Sequence, residues 1–340
     1  MVDLPPETTE KWLTLHSYLS EWNMKPMIKY RGGKSKEIPV ITWHIPRFSG
    51  RYIEPFLGGG ALFFHLEPHQ AIINDINPRL MNFYRGVRDN YHEFRGELDS
   101  VEKIYSQNRL EFERLKNLYP NSRVEDRNEA LYYQIRSMYN GLIEKQYSEA
   151  FLYYFINKTA YSGMIRYNSK GEFNVPFGRY PHFNTSAVTS AHSELLGRSE
   201  IYNEDYSGIF DLCQPEDFVF LDPPYDCVFS DYGNVEYKDG FDEESHRRLA
   251  SDFRNLPCKA LMVIGKTGLI TELYKGYIID SYEKNYAVNI RNRFKSSATH
   301  IIVTNYKKLW GYVPGTSTSE FETSEVCLFE AHHQYDDNKK

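Results

Sequence analysis

The run Phe218-Val219-Phe220-Leu221 is apolar at every position and stops abruptly at Asp222-Pro223-Pro224-Tyr225. Four apolar residues without polar alternation describe a strand buried on both faces, as in a parallel sheet covered by helices on each side. The carboxylate, two prolines and aromatic ring follow at the strand's carboxyl end, where open α/β sheets bind their ligands. The chain upstream uses the same grammar. Arg51-Tyr52-Ile53-Glu54 reads as a short strand that breaks at Pro55 into Phe56-Leu57-Gly58-Gly59-Gly60. Ala61 to Leu66 starts a helix, and Ala71-Ile72-Ile73 is a second strand ending in Asn74-Asp75-Ile76-Asn77-Pro78. Strand, glycine turn, helix and acid-ended strand open a nucleotide-type α/β sheet. The glycines do not follow the G-x-G-x-x-G spacing of a nicotinamide site, which speaks against a dehydrogenase.

The middle of the chain changes character. Helices are predicted over Val101–Tyr119, with Val101, Ile104, Tyr105, Leu115 and Leu118 on one stripe, and over Asn128–Ile143, with Leu131, Ile135, Met138 and Leu142 on one face. A third covers Ser148–Asn157. Met164 to Val175 reads as a hairpin, Ile165-Arg166-Tyr167 turning at Asn168-Ser169-Lys170-Gly171 and returning through Glu172-Phe173-Asn174-Val175. The α/β pattern resumes near 198, with a helix over Asp242–Arg254, a strand over Ala260–Ile264 and a strand pair near Tyr277–Asp280 and His300–Thr304. A basic, glycine-containing loop, Ile28 to Lys34, leads into a short helix near Glu37 to His44. The expected division is an extension over 1–23 (one helix, Glu10 to Trp22), a catalytic domain over 24–85 and 198–310, an inserted domain over 86–197, and a polar tail over 311–340 that is disordered from Asp336 to Lys340.

The formal net charge of −6 taken alone disfavours a polyanion, but its distribution favours one. Met24 to Arg51 holds seven basic residues against one Glu, Lys284 to Lys308 six against none, and Asn157 to Phe183 four against one. Tyr, Phe and Asn are interleaved with them, and aromatic faces suit base stacking. The four cysteines, Cys213, Cys227, Cys258 and Cys327, lack metal-ligand spacing, so neither a zinc site nor a disulfide scaffold is expected. No apolar run suits a bilayer span. Met1 to Glu10 carries Asp3, Glu7 and Glu10 and does not read as a secretory signal, so the cytoplasm is the expected compartment.

Asp-Pro-Pro-Tyr at a strand end suits one chemistry. The exocyclic amine of adenine is a poor nucleophile because its lone pair is delocalised into the ring. Two acceptors on its hydrogens, the Asp222 carboxylate and the Pro223 carbonyl, would pull the nitrogen toward tetrahedral geometry. Pro223 and Pro224 stiffen the loop and donate no N–H, and Tyr225 offers a stacking face. The gain comes from positioning and electrostatics, without a covalent intermediate.

The chain resembles the Dam-like, alpha-class DNA adenine-N6 methyltransferases. The matching blocks run in that family's order: Ile28–Lys34, Glu54–Phe63, Asn74–Leu80, Phe155–Tyr180 and Phe220–Tyr225, with a weaker one at Thr299–Tyr306. The resemblance implies a Rossmann-like α/β sheet that binds S-adenosylmethionine, with an inserted, mainly helical target-recognition domain carrying the hairpin. By it, Tyr30 and Lys34 help hold the cofactor, Tyr standing where relatives have Trp. Pro55, Phe56, Gly58 and Gly60 wrap its methionine end, Asp75 binds the ribose, Asp205 sits beside its adenine, and Asp222 touches both cofactor and target base. Glycines there permit close backbone approach. On the DNA side Arg166 is expected to read a guanine, with Met164, Pro176 and Tyr180 along the same face and Lys29 at the first base. Asn168, Lys170 and Arg179 are expected on phosphates, which position without specifying. Arg136 and Asn140 read equally as phosphate ligands or plain helix surface.

The implied partner is double-stranded DNA, bound by a monomer that flips the target adenine, in GATC or a site beginning GAT. A cognate restriction endonuclease would act separately. One departure stands out: Ser162 replaces the Asn that often precedes the glycine of the hairpin entry. Rival chemistries fit less well. Carbon-5 cytosine methylation needs a cysteine nucleophile, whereas Pro257-Cys258 precedes a strand and reads as a turn with a core cysteine. Cytosine-amine enzymes usually carry Ser in place of Asp222, and RNA or protein-glutamine methylation favours Asn. A silent DNA-binding regulator is opposed by intact Asp75, Asp222 and Tyr225.

Overall fold

The computed structural model describes residues 24–30, 32–226, 241–285 and 297–307. The expected helix at Glu10–Trp22, the tail from 311, Cys227 and Cys327 lie outside the described residues. In chain order the first half contains α1 (Ile38–Thr42), β1 (Tyr52–Glu54), α2 (Ala61–Leu66), β2 (Ala71–Ile73), α3 (Pro78–Asp89), α4 (Tyr91–Leu118), α5 (Arg127–Tyr139) and α6 (Glu149–Thr159). The second half contains α7 (Ser190–Gly197), β3 (Ser199–Ile201), α8 (Tyr206–Phe210), β4 (Phe218–Leu221), α9 (Glu243–Asn255), β5 (Lys259–Gly265), α10 (Gly268–Leu273), β6 (Ile278–Asn285) and β7 (Ser297–Thr304).

The strands form one sheet in the order β3-β2-β1-β4-β5-β7-β6. From β3 to β5 all pairs are parallel, and β7 runs antiparallel to both β5 and β6. Tyr52 pairs with Ala71 on one side and Phe218 on the other, so β1 and β4 mark the reversal of strand order. Their carboxyl ends flank the crevice where such sheets take ligands. Period-2 alternation supplies both faces: Tyr52, Phe218, Phe220, Leu261 and Val263 enter one core, and Ile53, Val219, Leu221, Met262 and Ile264 the other.

The first core continues without a break into the insert, through Phe83 to Tyr154, Phe155 and Phe177. The helix α6 is apolar almost all round, with Phe151 to Ile156 buried, and a helix of that kind must be enclosed. Phe83 stacks on Tyr153 at 5.4 Å and on Tyr154 at 6.2 Å. The crossing is close because position 86 is glycine: a Cβ there would lie 2.7 Å from that of Ala150.

Three local expectations are corrected. The stripe on α4 is half right: Val101 and Tyr105 are buried, but Ile104 and Leu118 are exposed, because the second half of the helix outruns the core. The second insert helix stops at Tyr139, so Leu142 and Ile143 are exposed rather than on its core face. Gly141, at φ +69°, ends it in a Schellman motif, its N–H bonding the Met138 carbonyl and that of Leu142 the Ser137 carbonyl. The hairpin returns antiparallel as expected, but Tyr167 with Phe173 and Ala160 with Phe177 are isolated bridges, not a ladder.

Candidate active site and nucleic-acid face

Strand β4 delivers Asp222 to the crevice, and the loop before α1 delivers Lys34 to meet it. The Lys34 ammonium donates to both carboxylate oxygens at 2.6 Å and to the Gly32 carbonyl at 2.9 Å. Lys34 is buried and Asp222 half-buried. Burial pushes the Asp222 carboxyl above its ordinary range, and Lys34 pulls the other way. Beneath them Glu54, at the end of β1, is buried and accepts from Tyr52 Oη at 2.7 Å. Burial raises its carboxyl well above the usual range, and the charge of Asp222 adds to the effect. Pro223 is buried and Pro224 half-buried. The Tyr225 ring has Lys34 Nζ 5.1 Å from its centroid and packs against Gly265, where a Cβ would meet it at 3.4 Å.

The glycine loop is built by partners from three other segments. Asp75 accepts from Gly58 N at 2.9 Å and from Asn77 N at 2.9 Å. The cap of α3 is Asn77, which accepts from Leu80 N, so Asp75 is not a helix cap. Tyr84 Oη donates to the Gly58 carbonyl at 2.9 Å. Asn74 donates to the carbonyls of Pro55 and Glu204, each at 3.0 Å, and accepts from Glu204 N at 2.9 Å. Gly58 and Gly60 have φ of +50° and +65°, in the region that disfavours side chains. The Tyr30 ring lies on this loop, 2.8 Å from where a Gly58 Cβ would be.

Phe56 and Tyr206 form an aromatic pair at 5.4 Å beside this loop. Asp205 caps α8, accepting from Ser207 N, and pairs with Arg248 at 2.8 Å. Burial would raise its carboxyl, but Ser207 and Arg248 outweigh that and hold it low. The expected adenine-side residue therefore has its carboxylate engaged by Arg248. Among the described residues no cluster of His, Cys, Asp and Glu could hold a metal ion, and no helix is long and apolar enough to cross a membrane. Cys258 is a buried core residue, as expected.

Lys29 of the Ile28–Lys34 loop meets Asn157 and Tyr180 at a second face. Asn157 clamps the backbone of Lys29, accepting from its N–H at 2.8 Å and donating to its carbonyl at 2.7 Å. The Lys29 ammonium sits 4.3 Å over the Tyr180 ring. Arg166 is exposed and donates from Nε to Asn174 Oδ1 at 2.8 Å. Met164 is half-buried, and Pro176 and Lys170 are exposed. Arg179 is 3.7 Å from Glu129 and 74% exposed. The exposed Tyr161 precedes Ser162, whose φ is +58°.

Four residues serve the hairpin itself. Asn168 Oδ1 accepts from the N–H groups of Lys170 and Glu172 at 2.9 and 3.0 Å, which makes it the turn's organiser. Asn140 accepts from Phe173 N at 2.8 Å and donates to its carbonyl at 3.0 Å, and Arg136 donates to the Val175 carbonyl at 3.2 Å. Both side chains thus clamp the hairpin backbone. Arg79, missed in the sequence, reaches from α3 to lie 4.3 Å over Tyr167 and to bond the Gly171 carbonyl.

Comparison with known proteins identifies the family. The sequence profile of the D12 class N6 adenine-specific DNA methyltransferases matches residues 30–289. The chain is similar to the Type II methyltransferase M.CviBI of Paramecium bursaria Chlorella virus NC1A, 34% identical over 290 residues, 83% of this chain and 100% of the viral one. It is similar to the Type II methyltransferase M1.LlaDCHI of Lactococcus lactis subsp. cremoris, 32% identical over 84% of this chain and 96% of the other. The DNA adenine methylase of Salmonella typhi is 28% identical over 86% of this chain and 97% of its own length.

Proposed function

We propose, from the premise that this chain belongs to the D12 class N6 adenine-specific DNA methyltransferase family, that it moves a methyl group from S-adenosylmethionine to the N6 amine of an adenine everted from duplex DNA. The observation that carries the proposal is Asp222, at the carboxyl end of β4 and bonded by Lys34, whose ammonium also lies 5.1 Å from the Tyr225 ring centroid. The Asp222 carboxylate and Pro223 carbonyl accept the amine hydrogens and free its lone pair. Tyr225 stacks on the extracted base. Lys34 favours the ionised form of Asp222 by opposing the effect of its burial.

The donor set fits the cofactor. Tyr30, Lys34, Pro55, Phe56, Gly58, Gly60, Asp75, Asp205 and Asp222 would hold it, with positive φ at Gly58 and Gly60, where a side chain would be strained. When bound, the cofactor supplies an electrophilic methyl on a sulfonium. Asp75 would bind the ribose hydroxyls, its carboxylate oriented by the bonds it accepts from Gly58 N and Asn77 N. Asp205 reaches an adenine edge only by sharing Arg248.

On DNA, Arg166 reads a guanine, Lys29 the first base, and Met164, Pro176 and Tyr180 follow the same groove. Lys170 and Arg179 serve phosphates, while Asn168 acts through the turn that presents Lys170. The site is GATC or begins GAT, and the enzyme acts as a cytoplasmic monomer, alone or beside a restriction endonuclease. The test is incubation of the protein with methyl-labelled S-adenosylmethionine and duplex DNA, followed by nucleoside chromatography. Label in N6-methyladenine is expected. Label in N4-methylcytosine, or none on DNA, rejects the proposal.

A further inference from the structure

Glu37 occupies the N-cap of α1, yet its side chain makes no capping bond to that helix. Its buried carboxylate accepts instead from Tyr282 Oη and Lys284 Nζ on β6 and from His300 Nδ1 on β7, the last at 3.1 Å. Burial pushes the Glu37 carboxyl up, but His300, Lys284, Tyr282 and Lys34 together bring it down to about 2, so it is a carboxylate. His300 is fully buried. Its ring stands perpendicular to that of Tyr225 at 5.1 Å and meets Tyr282 at 5.5 Å. One imidazole thus joins the segment after the glycine loop to the aromatic ring of the tetrapeptide.

Stability alone does not account for such a cluster. Buried ionic groups give up hydration, and apolar replacements of equal volume are often as stable or more so. What a fully bonded polar cluster does supply is a fixed orientation. Here the object oriented is the His300 ring, and the ring next to it is Tyr225. Glu37, Tyr282 and Lys284 lie outside every segment that carried the family resemblance.

We propose that Glu37 and His300 are positioning residues: Glu37 fixes the His300 ring, and that ring fixes the tilt at which Tyr225 receives the target base. The proposal rests on the methyltransferase function given above. Its test is a double-mutant cycle on the single-turnover rate of methyl transfer, at saturating S-adenosylmethionine and duplex. His300→Ala lowers the rate about tenfold in the native background and no further in a Tyr225→Ala background. The KM for duplex and the cofactor dissociation constant do not move. With 2-aminopurine at the target position, the bound duplex changes its fluorescence in His300→Ala. Equal losses in both backgrounds, or no loss in either, overturn the proposal. Should His300→Ala not fold, the isosteric Glu37→Gln runs the same cycle with the same two readings. Failure of the unaltered protein to methylate DNA rejects the methyltransferase function instead, so the two failures are distinguishable.

Discussion

Lys34 and Asp222 are 188 positions apart in the chain, and the ammonium of one lies 2.6 Å from both carboxylate oxygens of the other. The lysine side chain is 3% exposed and the aspartate side chain 21%. The pair is therefore asymmetric: removing the carboxylate strands a charge from which water is excluded, while removing the lysine leaves the carboxylate some solvent.

That asymmetry separates two substitutions at one position. Asp222→Ala removes every acceptor and leaves Lys34 unpaired, which costs about 3 kcal/mol of stability. Asp222→Asn keeps an acceptor for Lys34 and should lose much less. Both variants lose the negative acceptor for the amine, so methyl transfer falls at least about 10²-fold in each. Urea melts and single-turnover rates measure the two effects independently. Equal stability of the two variants would contradict the view that Lys34 depends on this carboxylate.

Removing the other partner moves a pH profile. The Asp222 carboxyl must be ionised to accept the amine hydrogens, so activity requires a pH above its folded value. Burial raises that value and Lys34 restrains it. In Lys34→Met the restraint is gone, and the acid limb of the kcat/KM profile moves to higher pH by about 1–3 units. Stability follows the same sign. A carboxyl raised in the folded state holds a proton that the unfolded chain has already released, so the variant gains stability as pH falls through the raised value. An unshifted acid limb would remove Lys34 from this role.

Lys158 offers a second titration, close to Lys29. Burial, with the nearby charge of Lys29, lowers its ammonium to about 8 from an ordinary 10.5. Duplex affinity should therefore decline from about pH 7 to 9 as this charge is lost, and Lys158→Met should abolish the decline. The variant's salt slope, from filter binding at several salt concentrations, should be shallower by about 0.9. For the free protein the sign is opposite. Between 8 and 10.5 the unfolded chain holds a proton that the folded chain has released, so stability rises with pH across that window. Affinity that is flat with pH in the unaltered protein would place Lys158 away from the phosphates.

What could be read from the sequence and what could not follow from chain distance. The β4 run and its tetrapeptide are contiguous, and Gly58 meets Asp75 over only 17 positions, so local pattern revealed both. β3 escaped notice because Ser199-Glu200-Ile201 is a short strand with an exposed charge, lacking the apolar run that marked β4. The stripe on α4 misled because periodicity gives the face of a helix, not how far the core extends beneath it. Glu37 was invisible as a site residue: its partner His300 lies 263 positions away, and only the sheet brings β7 beside the glycine loop. The clamping by Asn140 and Arg136 was not legible because the carbonyls they bond, those of Phe173 and Val175, lie 33 and 39 positions further along the chain.

Arg166 and Arg179 test the division between reading and positioning on the hairpin. Both are exposed, so neither substitution to Ala should disturb the core. Arg166 Nε is held by Asn174 Oδ1 at 2.8 Å, which pre-aims the guanidinium and leaves its two terminal nitrogens available for the paired acceptors of a guanine edge. Arg179 is 3.7 Å from Glu129 and otherwise extends toward solvent, which suits a phosphate. Arg166→Ala should therefore lose about 1–3 kcal/mol of discrimination at a single guanine, with little change at other positions. Arg179→Ala should weaken all duplexes alike and make the salt slope shallower by about 0.9. Asn174→Ala gives the decisive comparison: it removes the aim and not the charge, so it should relax discrimination at the same guanine as Arg166→Ala while keeping the salt slope intact. Methylation rates on duplexes substituted one base pair at a time measure all three variants. Loss of discrimination in Arg166→Ala without any in Asn174→Ala would mean that the guanidinium is oriented by the DNA alone.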